Sequence, residues 1–175
     1  WSPESNKPTR SPKPFTAAGF MFLRGDFLHE VPYDPNLSHL FQGEETLFSA
    51  RLFTNGYDFY CPNKKVAWHN YGRKGKPKYW EDMSDKVHCR KKAESRVLFL
   101  LGIEQKKNVV KDFLKDIHMY GFGKVRSLDE YWLASGIDFK SKTITDCCGN
   151  KQPKDPKYKG WNFKLDGYKK IKKLI

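Results

Sequence analysis

No apolar run in this sequence approaches the roughly twenty residues that cross a bilayer, so no transmembrane segment is expected. Cysteine is scarce. Cys61, Cys89, Cys147 and Cys148 lack paired CxxC spacing, which excludes a disulfide framework and a thiolate zinc finger. The adjacent Cys147 and Cys148 cannot bond to each other without strain, and a reducing compartment is the simpler setting. There are no internal repeats and no heptad run. Nor is there an RNP, KH, finger or basic-helix pattern, so no specific nucleic-acid partner is expected despite a net charge of +13. Trp1-Ser2-Pro3 is neither an initiator nor a secretory start, and the chain reads as an internal piece.

What is present suits one domain, or one domain plus an extension, since 175 residues can bury a real core. Prolines at positions 3, 8, 12 and 14 make residues 1–14 an extended lead-in. The chain is organised around Phe15 to Arg73. Phe15 to Leu23 reads as a buried strand with small residues at Ala17, Ala18 and Gly19, where something can approach the backbone closely. Gly25-Asp26 and Pro32 to Pro35 are turns. Gly43 to Thr54 reads as a helix, with Phe48 and Leu52 on one side and Glu44, Leu47 and Arg51 on the neighbouring stripe. Gly56 is its stop. Glu44 and Glu45 suit the positive end of the helix dipole, but they project about 100° apart, so capping explains only one of them well. Two short strands are expected next, around Tyr57 to Cys61 and Val66 to His69.

Arg73 to Lys78 is a basic Gly/Pro loop leading into Tyr79-Trp80. Beyond it the expectations are mostly helical: about Glu81 to Leu101, then Asn108 to Met119 with Val110, Phe113, Leu114 and Ile117 inward. Ser127-Leu128-Asp129-Glu130 forms a capping box for a short helix that Gly136 stops. A short strand around Thr143 to Thr145 and a Lys/Pro-rich tail follow, the tail docked by Trp161, Phe163, Leu165, Tyr168 and Ile171.

Six motifs carry a resemblance. Ala17-Ala18-Gly19-Phe20, Val31-Pro32-Tyr33-Asp34-Pro35, Phe41-Gln42-Gly43-Glu44-Glu45, Ser49-Ala50-Arg51-Leu52, Gly56-Tyr57-Asp58 and Trp68-His69-Asn70-Tyr71 together resemble the GlcNAc-transferases that modify hydroxyproline on Skp1. More distantly they resemble the later catalytic half of polypeptide GalNAc-transferases. The close match spans about residues 15–82. The resemblance implies an α/β fold, the C-terminal portion of a GT-A nucleotide-diphospho-sugar transferase, with residues 15–80 as its later half and 81–175 as a helical extension. It implies transfer of GlcNAc from UDP-GlcNAc to a protein hydroxyl, with retention, in the cytoplasm, on a Skp1-like acceptor.

By the same resemblance His69 is a ligand to manganese or another divalent ion. Gln42 and Gly43 line the sugar pocket, Glu44 contacts donor hydroxyls, and Glu45 stands beside it with a less defined duty. Ala17, Ala18 and Gly19 let the donor sugar close on the backbone, while Arg73 and Trp80 cover the leaving UDP. The Asp-x-Asp motif of that fold occurs nowhere in these 175 residues. It is therefore expected in an upstream half of the same catalytic domain, and the isolated chain is expected to be inactive. A basic nucleic-acid-binding module and a noncatalytic interaction fragment are the alternatives.

Overall fold

The computed structural model describes residues 14–60, 62, 65–70, 72, 74–82, 86–103, 114–138 and 143–144. In chain order they form α1 (Phe27–Glu30), α2 (Glu44–Thr54), α3 (Tyr79–Asp82), α4 (Val87–Leu100), α5 (Ile117–Tyr120) and α6 (Leu128–Ser135). A two-residue antiparallel ladder follows, β1 (Ile137–Asp138) with β2 (Thr143–Ile144), in the register Ile137 to Ile144 and Asp138 to Thr143. No described helix is long and apolar enough to cross a membrane.

The molecule is built around α2, whose residues from Leu47 through Thr54 are all buried. One side carries Leu47, Ala50 and Phe53 against Val97, Leu100 and Leu101 of the α4 region and Tyr131 of α6. The other carries Phe48 and Leu52 against Val31, with Met21, Leu23, Phe27, Tyr57 and Phe59 packed around them. A helix buried all round must satisfy its polar residues internally. Ser49 Oγ donates to the Glu45 carbonyl at 2.6 Å, and Thr54 Oγ1 donates to the Arg51 carbonyl at 3.0 Å.

The ends of α2 and α4 follow from local chemistry. Gly43 is the N-cap of α2 with φ 92°, and a Cβ there would come 3.2 Å from Val97 Cγ1. Glycine is thus required twice over, for a left-handed backbone and for the approach of α4. At the other end the Gly56 N–H donates to the Phe53 carbonyl and the Tyr57 N–H to the Leu52 carbonyl, a Schellman closure. The same pair of bonds closes α4, from Gly102 to Phe99 and from Ile103 to Leu98. Ser127 caps α6 with both bonds of the capping box, and Gly136 (φ 74°) ends it.

The expected α/β sheet is not the architecture. The described residues are mainly helical, and their only ladder is β1–β2. Residues 15–24 form turns and irregular chain, with Phe20 49% and Phe22 92% exposed, not a buried strand. A strand exists only through ladder partners, and this backbone bonds elsewhere. The Thr16 N–H donates to Ser49 Oγ at 2.8 Å, the Ala18 N–H to Glu45 Oε1 at 2.7 Å and the Phe20 N–H to the Ala17 carbonyl at 3.1 Å. Residues 65–70 likewise have no regular secondary structure, and around Tyr57 only an isolated bridge at Tyr60 is strand-like. The apolar faces of α2 are met by α4, α6 and the 31–37 loop, where a sheet was expected.

Between Glu81 and Leu101 the described chain divides into α3 and α4. Of the Asn108 to Met119 repeat only residues from 114 onward are described, and helix there runs from Ile117 to Tyr120. The lead-in up to residue 13 and the tail from residue 145 lie outside the described residues.

Candidate functional site

The Phe41 to Glu45 turn and the first two turns of α2 hold the chemistry. Because Gly43 turns the chain into α2, Glu44 falls on the helix stripe that includes Leu47 and Arg51, and that stripe faces the loop carrying Tyr33, Asp34 and Leu37. Between them lies a pocket of about 130 Å³, completed by Phe48. Ligand pockets for whole small molecules run to roughly 300–1,000 Å³. This one has room for a small group of a few heavy atoms, not for a nucleotide sugar.

Its floor is charged. Arg96 of α4 donates from Nε to Asp34 Oδ2 at 2.7 Å, and both side chains are fully buried. Asp34 Oδ1 also accepts from the Asn36 N–H at 2.9 Å and from Asn36 Nδ2 at 3.0 Å, which holds the loop in shape. Arg51, 2% exposed, donates from Nε to the Gly121 carbonyl at 3.2 Å. Burial holds the Arg51 guanidinium below its ordinary pKa; Asp34 offsets this and the like charge of Arg96 adds to it. Asp34 thus pairs directly with Arg96 and acts on Arg51 only through its charge.

The rim is Glu44 and Tyr33. Glu44 is partly buried, and desolvation first, then the charge of Glu45, raises its pKa above the usual carboxylate value. Tyr33 stacks on Phe48 with centroids 4.8 Å apart and planes 14° apart. Its hydroxyl pKa is raised as well, by burial and then by Glu44.

Glu45, by contrast, is exposed and turned to the other side of the helix start, where it accepts from the Ala18 N–H. Ala17, Ala18 and Gly19 are exposed on that turn, so the small-residue segment and Glu45 form one surface. Gln42 is exposed in the bend before Gly43. Phe41 stacks on Tyr79 at 5.5 Å between centroids, which brings α3, and with it the backbone of Trp80, beside the Gln42 turn.

His69 is exposed on irregular chain, not at a strand end. Among the described residues no three His, Cys, Asp or Glu side chains come together to hold a metal ion. Arg73 lies outside the described residues; Lys74 and Lys76, its neighbours in the basic loop, are exposed.

The buried triad Asp34, Arg51 and Arg96 is what sequence reasoning passed over. The signal was present for two of its members, because Arg51 shares a helical stripe with Glu44 and Leu47, and Arg96 interrupts an apolar α4 face. A cation on an otherwise core-facing stripe requires a buried partner.

Comparison with known protein families decides the class. Residues 2–141 match the family described as Glycosyltransferase (GlcNAc). The chain belongs to that family. No curated protein and no solved structure matches it. Family membership makes the general chemistry glycosyl transfer and points to a nucleotide-sugar donor. The surface around Glu44 is the part of the described chain that combines a pocket, a carboxylate with a raised pKa and a buried cation.

Proposed function

We propose that this chain forms the donor-sugar wall of a transferase that moves GlcNAc from UDP-GlcNAc to a protein hydroxyl, that of hydroxyproline on a Skp1-like acceptor. One observation carries the reading: Glu44 stands on the pocket rim at the start of α2, while Glu45 beside it holds the Ala18 backbone. The family match supports the transfer chemistry. In this reading Glu44 accepts from a donor-sugar hydroxyl, a contact that strengthens as charge develops at the anomeric carbon. Glu45 is a positioning residue that fixes the Ala17–Gly19 turn against the sugar, with Gln42 and Gly43 completing the edge. Trp80 and Arg73 close over the diphosphate. A cytoplasmic setting and retention of configuration belong to the same proposal and rest on the resemblance alone.

His69 is the residue of this chain that would hold a divalent ion, and no step is routed through that ion. The remaining diphosphate ligands are assigned to an upstream portion of the polypeptide, since Asp-x-Asp is absent from these residues. The test is radiolabelled transfer from UDP-GlcNAc to a hydroxyproline peptide by a longer polypeptide containing this chain. Glu44→Gln should lower kcat by roughly 100- to 1,000-fold, the range for loss of one transition-state contact, with UDP affinity largely kept. The 175-residue chain alone should not turn over. Unchanged transfer by Glu44→Gln sinks the role of Glu44.

A further inference from the structure

The two rims of the pocket belong to different segments, and one turn of α4 touches a neighbour of each. Val97 meets Gly43, the residue before Glu44: a Cβ on that glycine would come 3.2 Å from Val97 Cγ1. The preceding residue, Arg96, bonds Asp34, the residue after Tyr33, at 2.7 Å. Arg96 itself is not among the residues lining the pocket. Among the described residues no backbone hydrogen bond ties 32–37 to α2 or α4. That loop is held on the helices by the Tyr33–Phe48 stack, the packing of Leu37 and the Asp34–Arg96 pair. Apolar packing is non-directional and stacked rings tolerate offset, whereas a charged hydrogen bond fixes one atom to another. Stability alone gives little reason for such a pair, since a buried ion pair is often no better than apolar residues of the same volume.

We propose that Arg96 is a positioning residue: through Asp34 it fixes the Tyr33–Leu37 wall at a set distance from Glu44, so that one turn of α4 gauges the gap between them. Val97 supplies the fixed end of that gauge and Arg96 the held end. The inference rests on the donor-sugar reading of this edge. Glu44 meets a hydroxyl whose place is set by the wall opposite, and a shift of that wall by about 1 Å is enough to cost about 100-fold in rate. A pair that served stability alone could be exchanged for neutral side chains without that loss.

The test replaces both charges at once. Arg96→Met with Asp34→Asn leaves the net charge unchanged and keeps an acceptor for the Asn36 N–H, but removes the tie between α4 and the loop. Glu44 reports the wall in the 175-residue chain without any sugar, through NMR titration of its isotope-labelled carboxyl. Burial is the larger cause of its raised pKa, and Glu45 on the same helix start is the second. Tyr33 and Asp34 of the loop and Arg51 of α2 share its pocket. A wall that moves away lets water reach Glu44, and its pKa then falls toward the ordinary glutamate value. That fall is expected in the double variant, which should stay folded. It is not expected in Asn36→Ala, which loosens the turn but leaves the pair. In a longer polypeptide containing this chain, the double variant should lose about 100-fold in kcat for transfer from UDP-GlcNAc, with UDP affinity kept. A double variant that fails to fold, an unchanged Glu44 titration in it, or the same fall in Asn36→Ala overturns the proposal. So does full transfer by the double variant where Glu44→Gln has lost it. Unchanged transfer by Glu44→Gln marks failure of the donor reading instead, and the titration still judges the gauge.

Discussion

Glu44 and Arg96 show how differently two charged side chains can be held in one small region. Burial, and then the charge of Glu45, raises the Glu44 pKa above the ordinary glutamate value. The protonated form is therefore favoured by folding. That contribution is complete below the ordinary glutamate pKa and is lost as pH rises through the raised folded value. Glu44→Gln removes the ionisation, so it should be relatively more stable than the parent at pH 7 than at pH 4. Urea midpoints of both proteins across that range measure it, and a constant difference between them refutes it. Arg96 sits the other way, ion-paired through Nε to Asp34 in a dry site. Arg96→Met leaves the Asp34 carboxylate buried without its cation and should cost about 3–5 kcal/mol in urea melts. Adding Asp34→Asn to that variant should recover part of the loss, because the amide keeps the bond from the Asn36 N–H and removes the stranded charge. If the double variant is as unstable as the sum of its parts, the pair is not what holds the loop.

At the scale of elements, α2 is held in place by a strap as much as by its apolar faces. The Val125 and Arg126 N–H groups both donate to the Thr54 carbonyl, and the Gly123 N–H donates to Thr54 Oγ1 at 3.0 Å. Arg126 adds an ion pair to Asp58 at 2.6 Å and lies over the Phe53 ring at 4.6 Å from its centroid. The strap passes so close that a Cβ on Gly123 would meet the Thr54 carbonyl oxygen and the Asn55 side chain at 2.6 Å. Gly123→Ala should therefore cost about 1–3 kcal/mol, as overpacking does, and speed exchange of the Val125 and Arg126 amides. Gly25→Ala is the control, since nothing lies within 4 Å of a Cβ there, and it should be close to neutral. Wild-type exchange in Gly123→Ala would show that the strap yields without cost.

For the whole molecule, the net charge of +13 sets long-range behaviour and not the fold. The C-terminal cluster, Lys169, Lys170, Lys172 and Lys173, lies outside the described residues. The expected consequence is attraction to polyanions without sequence preference, weakening steeply between about 50 and about 200 mM salt. Competition binding with two unrelated RNA sequences at several salt concentrations measures it. Strong preference for one of them at the higher salt would contradict the glycosyltransferase reading of this surface charge.

Local chemistry was readable from the sequence alone. The helix from Glu44, its Gly56 stop, the Ser127 capping box and the Gly136 stop each depend on a few neighbouring residues, and each is in the structure. The family was readable too, because its motifs are short and contiguous. What faces a helix is not a local property. The stripe of Leu47, Phe48 and Leu52 is equally satisfied by a sheet or by other elements, and only the tertiary structure decided for α4 and α6 against Leu47 and for Val31 and its neighbours against Phe48 and Leu52. An apolar run such as Phe15 to Leu23 becomes a strand only when another backbone pairs with it, and here Ser49 and Glu45 take its donors. The Asp34–Arg96 pair spans 62 positions, a separation at which charges on a sequence carry no sign of having met. Burial then sets what they do: it removes the water that would otherwise screen Arg51 and Glu44, and so makes a pocket out of residues that read, in order along the chain, as an ordinary helix surface.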